Sequence, residues 1–186
     1  MEVSNGLLVA ILFVTLLGLG IAHVVVAMAG VVGGDRERRP DALLAAWTVL
    51  LLLVYLKLFW HTIDLLNVEQ WQFSEFLYVI LGPMLLFFAT SVLLPGAEVP
   101  ASVSAREHYL SVSRRFFTLL ALLQVWVIGV DQLLGSGFTT ATAVNAVAVL
   151  LLGLLASTRQ IRVHTALTML LALLFIAGFL IPGAGA

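Results

Sequence analysis

The sequence predicts an all-α, polytopic membrane domain of six transmembrane helices with both termini outside. Three observations predict it. First, 62% of the 186 residues are hydrophobic, only 10% are charged and the mean hydropathy is +1.13, whereas soluble domains carry about 25% charged residues. Second, six apolar stretches reach the length of about 20 residues that a helix needs to cross hydrocarbon. Third, every basic residue except Lys57 is an arginine, and the arginines fall in three short stretches, 36–39, 106–115 and 159–162. These alternate with the Arg-free stretches 1–6, 67–72 and 135–139. Cytoplasmic loops carry the Lys/Arg excess, so the Arg stretches are expected inside. An even number of spans then returns the C-terminus to the outer side.

The elements follow in order. The first span is expected over 7–29. Its flank holds Glu2 and no base, and its apolar run exceeds the 7 to 15 residues or so of a signal-peptide core, so it reads as a helix that stays in the membrane. The second is expected over 43–66, after the turn-forming run Gly33-Gly34-Asp35 to Pro40, with Asp41 as its N-cap. The third, 73–94, contains Gly82-Pro83 ten residues in. Proline deletes a helical hydrogen bond and crowds the preceding turn, so a kink is expected there.

The longest connection, 95–112, reads as an interfacial segment that leads into the fourth span, 113–134. Arg106, Arg114 and Arg115, the last two beside Phe116 and Phe117, are placed as lipid-facing basic residues against an anionic inner leaflet. The fifth and sixth spans are expected over 140–157 and 163–181. Together the six account for residues 1–186 as a single transmembrane domain.

Ionisable residues inside apolar spans are expensive and are functional candidates by default. Lys57 is the foremost, since it lies about 14 residues, or ~21 Å, into the second span. His61 and Asp64 follow at i+4 and i+7, so the three share one helix face that climbs toward the outer surface. Glu75 at the start of the third span and Asp131 at the end of the fourth are expected at the level of Asp64. Gln124 is expected at that of Lys57, and Asn145 in the outer half of the fifth. Acidic groups concentrate cations and protons, and a histidine between a lysine and an aspartate can relay protons. The set points to an outward-facing polar cavity, shaped by the Gly82-Pro83 kink, in a small channel or transporter for a proton or small cation.

The rival class is a structural or assembly subunit in which Lys57 makes one ion pair. A haem protein or membrane enzyme ranks below both. The chain has no cysteine, no HExxH pattern and no phosphate loop. His23 and His61 lie at different depths, which does not suit a bis-histidine haem, and His164 reads as a helix-entry residue. No cofactor, metal or nucleic-acid partner is expected. The expected partners are membrane lipids, a small ion and further copies of the chain or another subunit, in a prokaryotic cytoplasmic membrane.

Overall fold

The computed structural model describes residues 5–32, 41–66, 68, 71–94, 104–133 and 137–180. The described residues form seven helices: α1 (Asn5–Val32), α2 (Ala42–Trp60), α3 (Thr62–Leu66), α4 (Phe73–Leu93), α5 (Ala105–Leu133), α6 (Thr140–Ser157) and α7 (Ile161–Leu180). All except α3 are long and apolar enough to cross a membrane.

Local chemistry sets the helix starts. Asp41 caps α2, its Oδ1 accepting from the backbone N–H groups of Leu43 and Leu44 at 2.9 and 3.3 Å. This satisfies donors that the first turn of a helix leaves orphaned. At α5 the fold departs from expectation, because the helix begins at Ala105 and absorbs the segment read as interfacial. The cause is a capping box: the Ser104 hydroxyl accepts from the Glu107 N–H at 3.2 Å, and the Glu107 carboxylate accepts from the Ser104 N–H at 3.1 Å. A reciprocal pair of Thr139 and Thr142 starts α6. The second predicted span is divided at His61, whose backbone stands at φ −70°, ψ −4° and whose N–H reaches the Lys57 carbonyl at 3.2 Å.

The helices close a ring. α1 packs on α2 and α4, α4 on α5, α5 on α6, α6 on α7, and α7 returns to α2. α2 also reaches across the ring to α5 and α4. Fully buried Leu17, Leu51, Tyr55, Val79, Leu86, Phe116 and Phe117 fill the space between them. Arg106 pairs with Asp41, Nε to Oδ2 at 3.2 Å, and Arg114 and Arg159 line one cleft, so arginines from two of the expected inner stretches gather at one end of the bundle. That end is the Arg end.

The expected break at Gly82-Pro83 is built into α4, which continues as helix through both residues. The Trp126 indole N–H donates to the Tyr78 carbonyl at 2.6 Å, and the Tyr78 hydroxyl donates back to the Trp126 carbonyl at 3.4 Å. A backbone carbonyl about one turn before the proline thus gains a tryptophan donor from α5. Glycine is required for this approach, because a Cβ on Gly82 would collide with the Trp126 ring and one on Gly129 with the Tyr78 hydroxyl.

Candidate functional site

Lys57 lies in the last turn of α2 and is half-buried. Its Nζ sits 6.0 Å from the centroid of the Phe175 ring on α7, within the range of a cation–π contact. Across the bundle on α5, Asp131 is half-buried and interacts electrostatically with both Lys57 and His61. Lys57 at the end of α2 and His61, its C-cap, thus face electrostatically a carboxylate of α5, with an aromatic of α7 beside the lysine. Three apolar helices contribute to one polar locus. A half-buried charge keeps part of its hydration, which is how a group that would be costly in hydrocarbon is tolerated.

The other expected site residues divide. Gln124 and Asn145 are both half-buried, and Gln124 shares the face of Asp131 at seven residues' spacing. Glu75 is drawn into local structure instead, because its carboxylate accepts from the Gln72 N–H at 2.9 Å and so caps α4. Asp64 belongs to α3, and its side chain lies outside the described residues. Gly82 and Pro83 are buried against Trp126, five residues or ~7.5 Å along α5 from Asp131. Among the described residues no three His, Asp or Glu side chains gather as a metal site needs.

Comparison with known proteins finds no matching family model, no similar curated protein and no similar solved structure. The chemistry of the site rests on its own residues.

The Arg end holds a second polar assembly that the sequence reading missed. His164, expected as a helix-entry residue, is completely buried, as is Tyr109. The Tyr109 hydroxyl lies 2.9 Å from His164 Nδ1, and His164 Nε2 lies 3.0 Å from the Thr158 carbonyl. A carbonyl only accepts, so Nε2 donates to it, and Nδ1 is left to meet the tyrosine hydroxyl. Beside them the Trp47 indole donates to Thr168 at 3.0 Å, and His108 Nε2 donates to the Leu93 carbonyl at 2.9 Å. The available signal was the i, i+4 pairing of His164 and Thr168 on one face of α7, polar residues in an otherwise apolar helix.

The three basic residues placed toward lipid also differ. All three are exposed, and Arg106 is in addition paired with Asp41. His23 is exposed and sets its ring edge against Phe87, at 6.1 Å between centroids.

Proposed function

We propose that this chain is a small membrane channel or transporter that carries a proton or small cation through a polar cavity open to the outer side. Lys57, His61 and Asp131 form its selective element, and Gln124 and Asn145 extend its wall. In this reading the Arg end faces the cytoplasm of a prokaryotic cell, both termini lie outside, and copies of the chain or a partner subunit complete the pathway. The observation that carries the proposal is that Lys57, in the last turn of α2, and His61, the C-cap of α2, both act electrostatically on Asp131 of α5. The helices that present them are otherwise apolar enough to span a bilayer. The Trp126 bond to the Tyr78 carbonyl argues for a fixed wall at the kink, and leaves ion contact to the side chains above it.

The alternative, a structural subunit, uses the same Lys57 and Asp131 as a packing pair. The two readings separate in one experiment: proton and potassium flux into liposomes holding the purified protein, for wild type, Lys57→Met and Asp131→Asn, at several pH values. Conduction predicts wild-type flux that falls or changes its pH profile in both variants while helix content is kept. Folded wild-type protein that passes neither ion sinks the transport reading and leaves the structural one.

A further inference from the structure

A cleft of about 500 Å³ opens between α5 and α6 at the Arg end, in the size range of small-ligand sites. Its lining includes Arg114, Thr118, Gly153, Ser157 and Arg159, and no Asp or Glu. The hydroxyls are turned inward: Thr118 donates to the Arg114 carbonyl at 2.8 Å and Ser157 to the Gly153 carbonyl at 2.7 Å. The charged donors left to face a ligand are the two guanidiniums. Among the described residues neither is in an ion pair, in contrast to Arg106. Gly153 leaves the floor open, because a Cβ placed there meets no atom within 4 Å.

Away from the Arg end the same two helices present exposed apolar side chains. On α5 the spacing 114, 118, 122, 125 keeps one face, and Leu122 and Val125 are each about half exposed. On α6 the spacing 157, 154, 150, 147 does the same, with Leu150 at 72% and Leu154 at 51% exposure. Two unpaired arginines at the head of a two-helix apolar track match a molecule with a phosphate at one end and acyl chains at the other.

We propose that this cleft is a binding site for one anionic phospholipid, whose headgroup phosphate is held by Arg114 and Arg159 and whose chains lie along Leu122, Val125, Leu150 and Leu154. Guanidinium groups suit phosphate because their N–H fork matches its oxygens. The site is independent of the ion pathway proposed above.

The test is native mass spectrometry of the purified full chain titrated with dioleoyl phosphatidylglycerol, dioleoyl phosphatidylcholine or inorganic phosphate. The site predicts one phosphatidylglycerol retained per chain, held at least about tenfold more tightly than phosphatidylcholine. Each arginine at an anionic surface is worth about fivefold, so Arg114→Gln with Arg159→Gln should weaken retention by about thirtyfold. Arg115→Gln, which removes one such charge from outside the cleft lining, should change it less than about twofold. Gly153→Leu, which fills the cleft without altering charge and without a clash, should weaken it as strongly as the double variant. Equal loss in Arg115→Gln would mean diffuse surface attraction and would overturn the proposal. Wild-type retention in Gly153→Leu would also overturn it, as would binding of inorganic phosphate as tight as that of the lipid.

Discussion

The two ends of the bundle solve the same problem in opposite ways. At the Arg end, Trp47, Tyr109, His164 and Thr168 are almost wholly removed from solvent and joined by hydrogen bonds that need no formal charge. At the other end, Lys57, His61 and Asp131 carry or can carry charge and are only half-buried. Low-dielectric interiors tolerate neutral, satisfied polar groups and punish ions. Burial and charge are therefore traded against each other along the bundle. A locked neutral network suits a structural seam between α2, α5 and α7, and a hydrated charged cluster suits a path for ions.

If that contrast is right, stability should be concentrated at the Arg end. His164→Ala opens a cavity and orphans the Tyr109 hydroxyl, and is expected to cost about 2 to 4 kcal/mol in detergent unfolding. Adding Tyr109→Phe to it should recover part of that loss, because the orphaned donor disappears. A cost in His164→Ala below that of Lys57→Met would break the contrast. Between the ends, Trp126→Phe leaves the Tyr78 carbonyl without its indole donor and should cost about 1 to 2 kcal/mol by the same assay. A loss that small with flux intact would assign Trp126 to the wall of the path and not to its chemistry.

Lys57→Met is expected to cost only about 1 kcal/mol, because water can reach the Asp131 carboxylate it leaves behind, yet to change ion flux. Full rescue of stability by adding Asp131→Asn, with no flux effect in any variant, would reduce the cluster to a packing pair. The smallest effect belongs to Arg106→Ala. Its pair with Asp41 is exposed on the arginine side, and surface pairs contribute about 0 to 1 kcal/mol. A thermal midpoint within a few degrees of wild type is the expected reading.

Much of this architecture was legible because lipid imposes a strong rule: long apolar runs become helices with internally satisfied backbones. Six helices long and apolar enough to cross a membrane, and the N-cap at Asp41, follow from that rule and from capping chemistry. The early start of α5 was equally readable, since Ser104-Ala105-Arg106-Glu107 is a capping-box signature, but the arginine drew attention to the surface. The charged cluster was legible in part. Lys57 and His61 act electrostatically on Asp131, whereas Glu75 is spent on a helix cap, a competition that residue type alone does not reveal. The Tyr109–His164 seam was opaque for a different reason. Its members lie 55 residues apart, each is ordinary for a helix near an interface, and only the fold shows that the two side chains meet.

The contrast between a wet charged end and a dry neutral end can be tested most directly by thiol accessibility. The chain has no cysteine, so a single introduced thiol reports alone. His61→Cys and Thr168→Cys would be reconstituted in liposomes and treated with a charged, membrane-impermeant maleimide. The account predicts rapid labelling of His61→Cys from one side of the membrane and slow labelling of Thr168→Cys, which is 4% exposed in the native fold. Labelling of the two at equal rates, or protection of His61→Cys in folded protein, would contradict it.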